Sequence, residues 1–506
     1  MAGTFNPGTS LLFSFAAVGA AFALALPVQA AAAPPSVGPL SLASGPSPFA
    51  GCTGGLDPGS PPGTNVNAEV EPAVAVDPAS PSHLIAVFQQ DRWSNGGARG
   101  LATAVSSDGG STWAEPSPPH FSKCAGGTAA NGGAYDRASD PWVSIGPDGR
   151  AYQVSLSVNA AQTISAILAS TSTDDGATWS EPVTIQRDSS PDHFVFNDKE
   201  SVTADPFKAG TAYVVWDRRR FPSDSANVNA GHSFAFRGDP MFSKTTDGGR
   251  TWSTPTRISP QNNNMFTIGN QIAVLPDGTL VDVFHYGKGS GQDEPNASLT
   301  GVARSTDGGK TWSKPIRISN NPVVNDVDPD TGFPLRTGAD IGGGLPDIAV
   351  DPGSGALYVV WEDSRFSGTH NDIALSKSTD GGKTWSAPEK VNQTPSPVEA
   401  FTPMVDVLPD GTVAVTYYDI RNNTPAPGLA TDYFVAISHD GGTTWQESKI
   451  TPASFDDTTA PISRGYFLGD YQGLADNGTA FKSFFVQTNS GNTSNRTDAF
   501  ATTITP

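Results

Sequence analysis

Cysteine is almost absent. Cys52 and Cys124 are the only two in 506 residues, and without a CxxC spacing they argue against a thiolate zinc centre. As an even pair in a chain that reads as exported, they suit one disulfide tying the N-terminal segment to the first repeat, or two separate thiols. Methionine is equally scarce, at 4 residues against 54 glycines and 43 prolines, which disfavours a helix-rich fold and favours many short strands. Basic charge is short as well. Thirty Lys and Arg against fifty Asp and Glu leave a net charge of −20, a field that repels nucleic acid and disfavours anionic sugars unless arginines are gathered locally.

Long apolar runs are missing except at the start. Residues 11–26 are mostly apolar and lead into Pro27-Val28-Gln29-Ala30, so residues 1–32 read as a signal peptide cut near Ala30 to Ala32. No Lys or Arg precedes Arg92, which leaves a short membrane anchor as the competing reading. The expectation is a secreted or periplasmic chain with no membrane contact after cleavage, an N-terminal extension over 33–68 and a single domain over 69–506.

What the chain has in abundance is one motif. Ser/Thr-x-Asp-x-Gly-x-Thr-Trp occurs at 106–113, 172–179, 245–252, 305–312, 378–385 and 438–445, with steps of 60 to 73 residues. That spacing suits one four-stranded blade per repeat. The Asp can accept backbone N–H groups within a hairpin turn, while the Gly supplies a positive φ. Gly110, Gly176, Gly249, Gly309, Gly382 and Gly442 never vary, whereas the position before accepts Asp175. The Trp buries its apolar face against the sheet. These motifs are Asp boxes, and over roughly residues 70–450 the chain resembles the sialidase (BNR-repeat) superfamily. The resemblance implies an all-β propeller in which the boxes lie away from the active site.

Inner strands start near Glu71, Pro141, Ser201, Gln271, Pro346, Pro403 and Leu468. That predicts seven blades, with six as the alternative, and the stretch before Glu71 completes the last one.

Four second strands end alike, at Gln90-Asp91-Arg92, Trp216-Asp217-Arg218, Trp361-Glu362-Asp363-Ser364-Arg365 and Tyr418-Asp419-Ile420-Arg421. Delivered to one rim, Arg92, Arg218, Arg365 and Arg421 form a ring for a carboxylate or sugar hydroxyls, with Asp217, Asp363 and His285 lining it. Alternatively, each acid–arginine pair ties one blade to the next. The superfamily resemblance implies a tyrosine nucleophile activated by a glutamate and an aspartate acid/base, here Tyr471, Glu200 and Asp91. The Phe/Tyr-Arg-Ile-Pro motif that carries the family's first arginine is absent, so no catalytic residue transfers by motif.

Residues 221–240 read as a lid or specificity loop. Asp326, Asp328 and Asp330 precede Gly332 in a spacing that suits a structural Ca²⁺, or a solvated acidic loop; no other cofactor is implied. The partner expected is an extracellular glycan. A glycoside hydrolase, a non-catalytic binding propeller and a lyase using His285 and Tyr286 are the three readings.

Overall fold

The computed structural model describes residues 34–53, 63–189, 195–221, 236–262, 264–288, 298–324, 327–335, 344–463 and 465–506, with Met1 and Gly3. The N-terminal apolar run, most of the 221–240 insertion, Asp326 and Arg464 lie outside the described residues. Pro34–Pro506 is one compact unit, and its regular structure is strand apart from short 3₁₀ turns.

Among the described residues, strand pairing joins the strands into four sheets, within which seven runs of successive antiparallel strands can be followed, numbered here as blades one to seven. Their inner strands are Thr64–Asp77, Arg137–Ile145, Val195–Ala204, Met265–Val274, Asp347–Val350, Ala400–Val407 and Gly473–Asp476. These adjoin one another in cyclic order, the seventh returning to the first, so the arrangement is a β-propeller. Closure comes from the N-terminal segment. Ser36–Val37 and Ser41–Leu42 pair with the last strand, Thr497–Thr505, so the seventh sheet takes its outer edge from the start of the chain. Residues 36–42 thus contribute strands to the seventh sheet. Cys52 and Cys124 form a disulfide with Cα atoms 5.6 Å apart, fastening this segment to the blade one–blade two connection.

The core lies between the blades. Val154, Trp216 and Val202 share a cluster joining blades two and three, and Tyr213, Phe242 and Phe284 join three and four. Each interface repeats the same logic: second strands buried on both faces read as continuous apolar runs.

The Asp boxes prove to be joints between blades as well as turns. In the first, Asp108 Oδ1 accepts the backbone N–H of Ser111 and Thr112, and Oδ2 accepts the Thr112 hydroxyl at 2.6 Å. The Ser106 hydroxyl accepts from Gly110 N at 2.9 Å. The same set recurs around Asp307 and Asp380. Donation from the threonine hydroxyl and its N–H holds Asp108, Asp247 and Asp307 down at about 2. The box tryptophans are half-buried and reach backwards: Trp113 packs on Phe484 of blade seven, and Trp312 on Phe242 of blade three.

Candidate active site

The ends of the strands opposite the boxes carry a second repeat, one of conformation. Pairing slips between Val70 and Ala73, Ser139 and Trp142, Asp198 and Ser201, Ile268 and Gln271, and Phe401 and Met404. Within each slip one residue has positive φ: Glu71 (54°), Asp140 (54°), Lys199 (42°), Gly269 (74°) and Thr402 (54°). Glycine adopts this region freely. For the others it costs about 1–3 kcal/mol each, and such strain clusters at functional sites.

Side chains of the second strands brace two of these bulges. Asp217 accepts Gly269 N at 3.1 Å, the Thr267 hydroxyl at 2.7 Å and Asn270 Nδ2 at 2.6 Å. Glu362, at the same register one blade pair on, accepts Thr402 N at 2.8 Å. Burial pushes Asp217 up to about 7 despite its donors. Its carboxyl is spent on the bulge, which makes it a positioning group.

Where blades seven, one, two and three meet, the bulges gather chemistry. Glu71 and Glu200 are buried, and burial together with the Asp140 charge holds both well above the usual carboxylate range. Asp140 and Asp470 beside them are half-buried. Lys199 Nζ lies 3.8 Å from the Tyr471 ring centroid and 4.4 Å from that of Trp142. Tyr471 donates its hydroxyl to the Pro141 carbonyl at 2.9 Å, and burial followed by the Glu71 charge makes the phenol a weaker acid than usual. Gln89 donates to Glu71 and, at 3.1 Å, to Ser139 Oγ, while Ser139 donates to Asp140 Oδ1 at 2.5 Å. Gly469 completes the junction: a Cβ there would stand 2.7 Å from Glu71 N.

Of the residues expected at a site, Glu200 and Tyr471 come together here, joined by Arg92. The Arg92 guanidinium lies 4.6 Å over the Phe467 ring and donates to Gln89. Asp91 does not join them. It is buried against Ser47 Oγ at 2.7 Å, Asn67 N at 2.9 Å and Arg99 Nη1 at 3.1 Å, where it anchors the N-terminal segment.

The other arginines do not converge. Arg218 makes a two-pronged pair with Asp188, on the outer strand of blade two. Arg365 pairs with Asp363 at 2.6 Å and reaches Ser319 Oγ of blade four at 2.7 Å, while Asp363 also accepts Trp361 Nε1. Arg421 is held by Asp419 and Glu447, with its guanidinium 3.8 Å over the Phe434 ring. Arg218 and Arg365 tie neighbouring sheets together, and Arg421 ties strands within blade six.

His285 is buried against Phe266, and as the neighbour of Tyr286 in a regular strand it leaves the opposite face, so the two do not form an acid–base pair. Asp328 spends its carboxylate on its own loop, accepting Asp330 N and the Thr331 hydroxyl, while Asp330 is exposed.

Glu71 and Asp140 were missed in the sequence. The signal lay in Glu71-Pro72 and Asp140-Pro141, an acid before a proline at the same place in two inner strands.

A BNR/Asp-box repeat profile matches residues 303–314, the fourth of the six turns. With the ring of sheets and the six turns, it makes the chain similar to the Asp-box β-propellers of the sialidase type. The chain is 28% identical over 161 residues to a sialidase of Micromonospora viridifaciens, covering 29% of this chain and 24% of that protein. It is 30% identical over 177 residues to a xyloglucanase of a Paenibacillus species, covering 34% and 15%. The aligned part thus spans a quarter or less of each of these relatives. A solved Hadza microbial sialidase superposes with a TM-score of 0.46 at 16% identity, over 83% of this chain and 74% of that one.

Proposed function

We propose that this chain is a secreted, sialidase-like glycoside hydrolase that cleaves neutral glycans at the junction of blades seven, one, two and three. One observation carries the reading: the buried carboxyls Glu71 and Glu200, both held above the usual carboxylate range by burial and the Asp140 charge, stand beside the half-buried carboxyls Asp140 and Asp470. Glycosidic cleavage needs that division, one group giving a proton to the leaving oxygen while an ionised partner attacks the anomeric carbon or activates water. Asp140 and Asp470 are the substrate-facing pair. Glu71, pushed up by burial and then by the Asp140 and Asp470 charges, stands behind them as the proton donor of this reading. Tyr471 and Lys199 are positioning residues, since the phenol is committed to Pro141 and the ammonium sits between two rings.

The substrate class follows from charge. Among the described residues four carboxyls face two cations, Lys199 and Arg92, and both are already enclosed, so none of the described guanidinium groups here is free for an anionic sugar. The two relatives named above carry glycan-directed activities in their names, sialidase and xyloglucanase. Export is supported by the apolar leader and the Cys52–Cys124 bond.

A panel of fluorogenic glycosides tests the reading. Turnover of a neutral arabinoside, xyloside or glucoside with none of the sialoside is expected. Turnover of the sialoside alone would return the anionic substrate and sink the charge argument. No turnover of any would favour a binding propeller, the reading that the committed arginines Arg218, Arg365 and Arg421 support.

A further inference from the structure

The second Asp box departs from the other five. At the fourth position the others have Gly109, Gly248, Gly308, Gly381 and Gly441, with φ between 70° and 76°, whereas this box has Asp175 with φ 61°. An L-residue held there is strained. Its side chain turns towards blade one, where it meets His83 and Asp77, and one donor atom from each of the three lies within 4.8 Å of the others.

His83 gives this grouping a direction. The residue is 8% exposed, its imidazole makes no hydrogen bond among the described residues, and its Nδ1 stands 3.9 Å from Asp175 Oδ1. That gap is too long for a hydrogen bond. It matches two ligands on one cation, which stand about 3.4 Å apart at a tetrahedral angle and about 4.2 Å apart when opposite, for bonds of about 2.1 Å. Asp77 is also buried, and its Oδ1 accepts Ala79 N at 2.8 Å, leaving Oδ2 to face a ligand.

We propose that Asp77, His83 and Asp175 bind a divalent cation of the zinc class, joining blade one to blade two at the box end of the propeller. An imidazole with two carboxylates is a borderline donor set, which suits zinc better than the all-oxygen cations calcium or magnesium. Solvent reaches the exposed Asp175 edge, whose side chain is 68% accessible, and water completes the shell there. The site is separate from the proposed active site: Asp77 lies six residues along the strand from Glu71, about 20 Å at the usual strand rise.

Calorimetric titration of the metal-free full chain with ZnCl₂, with CaCl₂ in parallel, tests it. One tight equivalent of zinc is expected, together with a higher thermal midpoint. His83→Ala and Asp175→Gly should each weaken zinc binding at least tenfold. Asp175→Gly installs the residue of the other five boxes, so it should keep or raise the metal-free midpoint and show that lost binding is not lost folding. Absence of binding, equal affinity in wild type and both variants, or preference for calcium would each overturn the proposal.

Discussion

Gly309 shows how little room a blade joint leaves. Its φ is 82°, and a Cβ would fall 2.2 Å from the Phe242 ring of the preceding blade; at Gly308, with φ 71°, the nearest atom is the mobile Lys244 ammonium at 3.4 Å. Gly308→Ala should therefore cost about 1 kcal/mol from backbone strain alone, and Gly309→Ala about 3 kcal/mol or more because the buried ring must also move. Chemical denaturation of the two variants side by side checks the order. In the proposed site, part of the upward push on Glu200 comes from the Asp140 charge. Asp140→Asn removes that charge, so the Glu200 carboxyl should lose its proton at lower pH than in wild type, read as the protonated-carboxyl band in an infrared titration. A band unmoved by the substitution would separate the two groups.

At the scale of strands and turns, two families of buried or bonded acids pull stability in opposite directions with pH. The box aspartates Asp108, Asp247 and Asp307 sit at about 2, below their unfolded value, so the stability they lend is present above about pH 4 and is lost as pH falls towards 2. Asp457 lies in the 3₁₀ turn Asp457–Thr459, fully buried with neither carboxyl oxygen hydrogen-bonded, and burial with the Asp456 charge raises it to about 8. Its contribution is full below about pH 4 and declines as pH rises through 8. Asp457→Asn should flatten the alkaline side of the thermal-midpoint profile and leave the acid side unchanged. The box turns were legible in the sequence because each is local: an acid, a glycine and a threonine within five residues settle the geometry. The braced bulges were not, since Asp217 meets Gly269 and Glu362 meets Thr402 only across neighbouring blades. The same gap explains the arginines. Asp91-Arg92 and Asp363-Ser364-Arg365 look alike in the chain, yet one arginine lies at the junction of blades seven and one while the other reaches the outer strand of blade four.

For the molecule as a whole, a ring has no free edge only while its last sheet is closed. Here the closing strands Ser36–Val37 and Ser41–Leu42 belong to a segment held by Cys52–Cys124, by Asp91 and by Trp113, whose indole donates to Ser41. Breaking the disulfide by Cys124→Ser should lower stability by about 2–5 kcal/mol, with a loop of this length at the upper end. Removing residues 34–44 as well should expose the edge of Thr497–Thr505 and promote association, measurable by light scattering. The central claim concerns the opposite end of the strands, where strained acids rather than rim arginines are assigned the chemistry. Its most direct test is kcat/KM on a neutral glycoside for Asp140→Asn beside Arg365→Ala. A fall of about 10²–10⁴ for the first is predicted, with the second within about threefold of wild type. A fall confined to Arg365→Ala would contradict it.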